Sequence, residues 1–317
     1  MSLREDSIDK NIICFGELLW DMLPHGKQAG GAPMNVAYHL NRLGLKAFPF
    51  TAVGQDDLGR ELIEFLNSKN IPTILIQENE HPTGMVLVKL NEKNEASYSI
   101  ENPSAWDYIQ VGNPEADLLL NKSPIVVFGS LACRHTLSHQ SLLAILSYAG
   151  LKICDINLRA PYYSPDLVFQ LLGLADWVKI NNDELNLIAQ WFGTGSDQEP
   201  IQAQLLLERF PFVSKLLVTR GDKGAAYYDR EGNSIEHPGF QVKVVDTVGS
   251  GDSFLAMFIA QFLKGSSIEH ALEASCAMGA IVARHAGATS WFETEKEISD
   301  LIQSGDSGKT IGINNNS

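Results

Sequence analysis

Short apolar runs of strand length alternate along the chain with longer amphipathic stretches of helix length. The short runs predict buried strands at residues 12–16, 47–53, 125–128, 152–156, 177–180 and 215–219. The longer stretches predict helices at residues 32–43, 59–67, 138–149, 183–191, 251–263 and 268–285. Because strands and helices alternate, we expect an α/β fold with a mainly parallel sheet flanked by helices.

One region breaks this alternation. Residues 84–90 and 96–101 have strand character and predict a hairpin closed near residues 91–94. A β-rich insertion in an α/β chain is well suited to be a lid over a site. We therefore expect one α/β domain at residues 1–302, with lid strands near 18–30 and 84–104. Residues 303–317 are rich in Gly, Ser and Asn and predict a flexible polar tail.

Composition excludes some classes of function. The chain of 317 residues has a formal net charge of −14, which argues against a nucleic-acid partner, because nucleic acid requires a basic surface. Its four cysteines are scattered through apolar segments without a C-x-x-C pair, as is typical of buried, reduced thiols. The chain opens on no charged-then-apolar leader, and its apolar runs are shorter than a membrane span. We therefore expect a cytoplasmic protein with no membrane partner.

The most informative motif is DTVGSGD at residues 246–252, directly before an apolar helical run. A helix N-terminus has unpaired N–H groups and the positive end of the dipole, and together these bind anions. Glycines at this position allow the backbone to approach a bulky anion. An aspartate beside a bound anion is unfavourable unless it takes part in the reaction. The motif thus predicts phosphoryl transfer, with Gly249, Ser250 and Gly251 binding phosphate and Asp252 accepting a hydroxyl proton.

A second motif, GGAPMNVA, lies at residues 30–37 and places the Asn35 amide in an otherwise apolar stretch. A buried amide requires hydrogen-bond partners. Together with G-x-D-x-x-G at residues 54–59, these strings resemble the ribokinase (PfkB) family of sugar kinases, most closely the bacterial fructokinases. The resemblance implies a ribokinase-like fold, Asp252 as catalytic base, the Gly249–Gly251 turn as anion hole, and Asn35 at the sugar.

Two further strings follow in the order that this family has. Residues 181–184 resemble its N-x-x-E motif, which implies that Asn181 and Glu184 help to bind ATP and that Glu184 binds Mg²⁺ through water. Alone, this string is more typical of a helix N-cap. Residues 219–224 resemble its T-x-G-x-x-G turn, which implies that Thr219, Gly221 and Gly224 surround nucleotide phosphates. Because the negative net charge repels ATP, we expect the nucleotide to arrive with a divalent cation.

The candidate sugar site begins at Asp21, just past the first predicted strand, where ligand crevices form in α/β proteins. A carboxylate can accept hydrogen bonds from two adjacent hydroxyls, and the family uses the matching aspartate in this way. Gly31 belongs to the same expected site, and Glu17 is a weaker candidate. Residues 102–105 resemble the N-P-S-A segment of bacterial fructokinases, which favours fructose and assigns Asn102 to the sugar. Trp106 departs from the acidic residue that many relatives have there.

Arg159 leaves the substrate open between two alternatives. Residues 155–159 resemble a D-x-N-x-R pattern that fructokinases share with 2-keto-3-deoxygluconate kinases, and a guanidinium binds either a phosphate or a substrate carboxylate. A third alternative is a sugar-binding regulator that has the fold without the chemistry. The complete turn and Asp252 argue against it. A dinucleotide oxidoreductase is disfavoured, because no G-x-G-x-x-G follows the first strand.

The resemblance also implies features that other residues must supply. Relatives place a monovalent cation, K⁺, in the region that corresponds to Asp246, Thr247, Ala286 and Gly287. Relatives also pair through the lid, so we expect a homodimer. The expected partners are a small sugar and ATP.

Overall fold

The computed structural model describes residues 10–23, 26–90, 96–112, 114–193, 195–290, 294–304 and 311–314. The strands are β1 (Ile12–Phe15), β2 (Leu19–Leu23), β3 (Gly26–Gly30), β4 (Ala47–Gly54), β5 (Ile76–Asn79), β6 (Gly84–Leu90), β7 (Ala96–Ile100), β8 (Ile125–Gly129), β9 (Leu151–Asp155), β10 (Trp177–Asn181), β11 (Lys215–Thr219), β12 (Ala225–Asp229), β13 (Asn233–His237) and β14 (Ile311–Asn314). The helices are α1 (Ala32–Arg42), α2 (Asp57–Ser68), α3 (Pro114–Leu120), α4 (Thr136–Leu146), α5 (Pro165–Leu174), α6 (Asn182–Trp191), α7 (Glu199–Arg209), α8 (Ser250–Leu263), α9 (Ile268–Ala283) and α10 (Thr294–Gln303).

The main sheet has the order β14-β13-β12-β11-β10-β9-β8-β1-β4-β5. Neighbouring strands from β5 to β11 are parallel, whereas β12, β13 and β14 continue the sheet in antiparallel pairing. The mainly parallel α/β architecture that the sequence predicts is confirmed. Parallel strands have their carboxyl ends at one edge, so the loops that follow them meet there.

Helices cover both faces of this sheet. In β1, Ile12 and Cys14 pack with the apolar residues of α1, α8 and α9. Ile13 and Phe15 point to the other face and pack with residues of α4, α5, α6 and α7. Side chains of a strand alternate between the two faces, and both faces here are buried. Burial on both faces explains why the strand sequences are almost continuously apolar.

Helix α8 is deeply buried. Phe258, at its centre, is 0% exposed, and its ring lies 6.1 Å from that of Trp177 and 6.3 Å from that of Tyr227. Trp177 and Tyr227 belong to β10 and β12, so the helix is packed across several strands of the sheet. The N-terminus of α8 is therefore fixed relative to the carboxyl edge.

A smaller sheet of order β3-β2-β6-β7 lies beside the main one. The predicted hairpin is present as the antiparallel pair β6 and β7, and its expected turn at residues 91–94 lies outside the described residues. Asp56 caps α2 through Gly59 N–H and also accepts the Thr83 N–H, which holds the start of β6. An apolar cluster that includes Trp20 and Met34 joins this sheet to the helices. It is the sheet that the sequence predicts as a lid.

The C-terminal segment differs from the expectation of a polar tail without regular structure. Residues 311–314 form β14 and pair with β13, and α10 ends at Gln303. The polar composition concealed this strand, because β14 lies at the outer edge of the sheet. The domain boundary at residue 302 stays a prediction.

Two compositional expectations can be compared with the fold. The four cysteines are buried with free thiols, and burial raises the pKa of Cys133 and Cys276 to about 12. No helix among the described residues is long and apolar enough to cross a bilayer.

Truncation of Phe258 tests the packing of α8. Phe258→Ala leaves a cavity between α8 and the sheet and should lower the free energy of unfolding by about 3–5 kcal/mol. Phe212→Ala is the control, because Phe212 is 70% exposed, and its effect should stay within about 0.5 kcal/mol. Urea unfolding followed by circular dichroism measures both. Equal effects would show that α8 is not packed in this way.

Candidate active site

The candidate site lies at the carboxyl edge of the main sheet, where α1 and α8 begin. Glu17 follows β1, Asp155 ends β9, and Thr219 ends β11. The lid sheet adds Asp21 from β2. The fold therefore brings together side chains that are more than 200 residues apart in the sequence.

Asp252 and Asn35 form the centre of this site. Asp252 lies in the first turn of α8, is 8% exposed, and accepts a hydrogen bond of 2.7 Å from Asn35 Nδ2. The other amide atom, Asn35 Oδ1, is buried and accepts no hydrogen bond from the described residues. A buried acceptor without a donor is unfavourable, so it is well placed for the hydroxyl of a bound ligand.

The protonation of Asp252 is set by its surroundings. Burial raises its pKa to about 6, and the negative charge of Asp155 acts in the same direction. Lys179, the Asn35 hydrogen bond and Arg159 oppose this rise. A carboxylate whose pKa lies near neutrality can accept a proton at physiological pH and release it readily.

The turn before α8 requires glycine on steric grounds. Gly249 has a φ of 78°, and a Cβ there would lie 2.3 Å from the Cβ of Ala288. A Cβ at Gly251 would lie 2.9 Å from Lys179 Nζ. The first N–H groups of a helix have no intrahelical acceptor, so this crowded turn presents donors to an anion. The anion site at this turn stays a prediction.

Lys179 is a functional candidate that the sequence motifs did not identify. Its ammonium donates hydrogen bonds of 3.0 Å to each carboxylate oxygen of Asp155. A lysine inside the apolar strand at residues 177–180 was the available signal, because a buried charge requires a partner. The partner is in a neighbouring strand and is not apparent from the sequence.

Glu17 supports the start of α1. It is 5% exposed, and its Oε1 accepts the Ala32 N–H at 3.1 Å. Burial raises its pKa to about 7. Gly31 is the N-cap of α1, with a φ of 114°, and a Cβ there would lie 2.2 Å from the Glu17 carbonyl oxygen. A glycine at position 31 is therefore needed for this close backbone contact.

Asp21 faces the site from the lid. Burial raises its pKa to about 6, and the charge of Arg159 opposes the rise. A Cβ at Gly30 would lie 2.4 Å from Asp21 Oδ2, so the first glycine of the pair makes room for this carboxylate. Arg159 is exposed and lowers the pKa values of Asp21, Glu17 and Asp252. Its guanidinium therefore lies within electrostatic range of the whole carboxylate group.

Asn102 lies on an exposed bend, and Arg134 is hydrogen-bonded to the residue before it. The guanidinium of Arg134 donates to both Asp107 oxygens at 2.7 Å and to the Glu101 carbonyl at 2.6 Å. It also lies 3.8 Å from the Trp106 ring centroid, and Trp106 is 0% exposed. The departure at Trp106 therefore has a structural reason, since the aromatic ring covers Arg134 and the acidic residue that follows pairs with it.

A cavity of about 520 Å³ adjoins the α8 turn. The predicted nucleotide and turn residues that line it are Asn181, Thr219, Gly221, Gly224, Ser250 and Gly251. Its remaining wall is largely apolar and includes Phe240, Val242 and Phe254. Arg220 does not serve this cavity, because its guanidinium pairs with Glu199 and Glu236.

Two predicted metal residues are already engaged by backbone amides. Glu184 accepts the N–H groups of Leu158 and Asn181, and the Asn181 side chain accepts the Glu184 N–H in return. This is a capping box at the start of α6. Asp246 accepts the N–H groups of Val248 and Gly287 and so connects two loops. Within the described ranges, no group of three His, Cys, Asp or Glu side chains could hold a metal ion.

Comparison with known proteins identifies the family of this chain. Residues 9–295 match the pfkB family carbohydrate kinase. The chain belongs to this family. Fructokinase-2 of Zea mays is 30% identical to it, over 92% of this chain and 93% of the relative. Fructokinase of Solanum tuberosum is 29% identical, over 93% and 96%.

Solved structures share the fold of this carbohydrate kinase. The fructokinase with bound ATP from Xylella fastidiosa has a TM-score of 0.81 at 24% identity, covering 93% of this chain and 99% of that one. A putative Ribokinase II from E. coli has a TM-score of 0.80 at 20% identity, with the same coverage. The family that the sequence motifs indicate is confirmed, and the chain is a sugar kinase of this family.

The pH dependence of this sugar kinase tests the assignment of Asp252. A base with a pKa of about 6 is protonated below that pH, so kcat/KM should fall about tenfold per pH unit there. Glu17→Gln is the control, because it removes the carboxyl whose pKa is about 7 and should leave the fall near pH 6 in place. Steady-state rates between about pH 4.5 and 8.5 measure this. A profile that is flat down to about pH 5 contradicts the assignment.

Proposed function

We propose that this protein is a fructokinase, which transfers the γ-phosphoryl group of ATP to a primary hydroxyl of fructose. The observation that carries the proposal is the position of Asp252. Its buried carboxylate is held by Asn35 at the N-terminus of α8, where the neighbouring residues Ser250 and Gly251 line the cavity of about 520 Å³. A carboxylate in this position could reach both the hydroxyl of a bound sugar and the anion site.

The cavity beside α8 is proposed as the nucleotide site. Its apolar wall suits a flat base, and its rim is formed by glycines and by the N-terminus of α8, which suit phosphates. The fructokinases of similar fold from Xylella fastidiosa and Vibrio cholerae hold ATP and ADP respectively. Thr219, Gly221, Gly224 and Asn181 would contact this nucleotide.

In the proposed reaction, the sugar and ATP would meet at the α8 turn. The sugar hydroxyl oxygen forms a bond to the γ-phosphorus while the bond from that phosphorus to the bridging oxygen breaks, leaving ADP. Asp252 takes the hydroxyl proton, and N–H groups at Gly249, Ser250 and Gly251 stabilise charge on the phosphoryl oxygens. The raised pKa of Asp252 favours this proton transfer.

The residues present fit a water-mediated Mg²⁺ and a monovalent cation. Each Glu184 oxygen accepts one N–H and has a second lone pair free for a metal-bound water. Mg²⁺ retains several waters in such sites and neutralises charge on the phosphates. Asp246 fixes the loops at 247–248 and 286–287, whose carbonyls are the oxygen donors that K⁺ would need.

Fructose is proposed as the sugar from the residues on the lid side. Asp21 would accept hydrogen bonds from two sugar hydroxyls. The site would be completed by Asn35 Oδ1, Gly31 and Asn102. The curated relatives from maize and potato are fructokinases. The lid sheet ends at the edge strands β3 and β7, and pairing of two lids would give the proposed homodimer.

A second candidate is 2-keto-3-deoxygluconate, and it is favoured by Arg159. This guanidinium is exposed, and its one recorded hydrogen bond from the described residues is to the adjacent Leu158 carbonyl at 3.0 Å. It would therefore be available to a substrate carboxylate. Fructose has no carboxylate, so Arg159 would then contact phosphate.

Asp252→Asn tests the chemistry that both sugars share. The variant retains the shape and removes the base, so kcat should fall about 10²–10⁴-fold. Affinity for MgATP should change less than about threefold, since the amide replaces no nucleotide contact. Coupled ADP-release assays and isothermal calorimetry measure these quantities. Turnover within about threefold of the parent contradicts the role of Asp252.

Comparison of the two sugars tests the proposed substrate. The parent should phosphorylate fructose with a kcat/KM at least about tenfold above that for 2-keto-3-deoxygluconate. Arg159→Ala should leave this preference in place, with Arg60→Ala on the exposed face of α2 as the control. If the sugar acid is preferred and Arg159→Ala abolishes the preference, the protein is a sugar-acid kinase.

A further inference from the structure

The carboxyl edge of the sheet contains a buried ion pair whose lysine, Lys179, belongs to none of the sequence motifs. Lys179 and Asp155 are register partners in β10 and β9, and their side chains are 8% and 5% exposed. The two hydrogen bonds from Lys179 Nζ are both 3.0 Å long. Each side chain thus has its position fixed by the other and by the sheet.

This ammonium lies against the anion-binding turn. A Cβ at Gly251 would be 2.9 Å from Lys179 Nζ and 3.5 Å from its Cε. Lys179 also interacts electrostatically with Asp252 and Glu184, on either side of the turn. An ammonium has three N–H groups. Among the described residues, Asp155 accepts hydrogen bonds from two of them. One N–H group therefore remains for an anion at Gly251.

Stability alone is a weak reason for such a pair. Removing two charges from water is unfavourable, and replacing a buried ion pair by apolar residues is often neutral or stabilising. The same low-dielectric surroundings make a fixed positive charge effective on a nearby phosphoryl group. A buried lysine that contacts the turn would supply charge where it develops during phosphoryl transfer.

We propose that Lys179 contacts the transferred phosphoryl group and that Asp155 is its positioning residue. This inference rests on the proposed kinase function and adds a side chain to its anion site. Asp155 holds the ammonium beside Gly251 and prevents it from pairing with Asp252, whose carboxylate then stays free to accept the hydroxyl proton. Backbone N–H groups and a side-chain ammonium would thus act on the same oxygens.

The test compares nucleotides that differ only in the γ-phosphoryl group. A double variant, Lys179→Met with Asp155→Asn, removes both charges and leaves no unpaired ion in the core. Its affinity for the magnesium complex of β,γ-imido-ATP should fall at least about tenfold, as expected for a lost charge-assisted hydrogen bond. Its affinity for magnesium ADP should stay within about threefold of the parent, because ADP lacks the contacted group. Isothermal calorimetry measures both.

Lys215→Met is the matched control. It removes the same charge from the neighbouring strand β11, at the end away from Thr219, and should change neither affinity. Circular dichroism and the melting temperature establish that each variant is folded. If the double variant does not fold, Lys179→Gln, which keeps a donor toward Asp155, is measured in the same way. Equal loss for both nucleotides, or loss for neither, overturns the proposal.

Kinetics provide a second measurement. Removal of one preorganised donor lowers kcat by about 10²–10³-fold, and a purely structural role would leave kcat of the folded variant near that of the parent. The sugar KM should stay within about threefold. Because the calorimetry uses no sugar, its result holds even if the parent fails to phosphorylate fructose. Such a failure would count against the proposed substrate alone.

Discussion

The site depends on a carboxylate and an anion-binding turn occupying the same end of α8. Asp252 and a phosphate repel each other, and burial strengthens the repulsion. The structure offsets it with the Asn35 hydrogen bond and the nearby charges of Lys179 and Arg159. Burial and the charge of Asp155 raise the pKa of Asp252, these three groups lower it, and the net value is about 6. A carboxylate in this balance remains mostly ionised at neutral pH and is still able to hold a proton during transfer.

The parallel sheet makes this arrangement possible. Strands β1, β9, β10 and β11 end at one edge, and each contributes to the site at or just past its last residues. The Asn35–Asp252 hydrogen bond joins residues 217 positions apart and fixes the start of α1 against the start of α8. His39, one turn further along α1, is hydrogen-bonded to the Ala288 carbonyl at 2.9 Å, and Ala288 packs on Gly249. The shape of the turn therefore depends on its contacts with α1.

The sequence predicted most of the main fold, because buried parallel strands and their helices have strong apolar patterns. It also indicated the family and the α8 turn, where Gly249 is required by its positive φ and its close contact with Ala288. It did not reveal the Lys179–Asp155 pair or the Arg134–Asp107 pair, because each joins residues that are adjacent only after folding. The edge strand β14 was missed since an exposed edge tolerates polar residues. The N-x-x-E motif did not distinguish two roles of Glu184, because the helix cap and the proposed metal site use the same carboxylate.

The proposed sugar site combines a carboxylate of the lid sheet with the carboxylate at the start of α8. Asp21 is on the lid sheet, whereas Asp252 is on α8, which packs against the main sheet, so a sugar that bonds to both would connect the two parts. Burial raises the pKa values of both carboxyl groups to about 6, and hydroxyl donors would favour their ionised forms. Sugar binding would therefore assist ionisation of the base and exclude water at the same time.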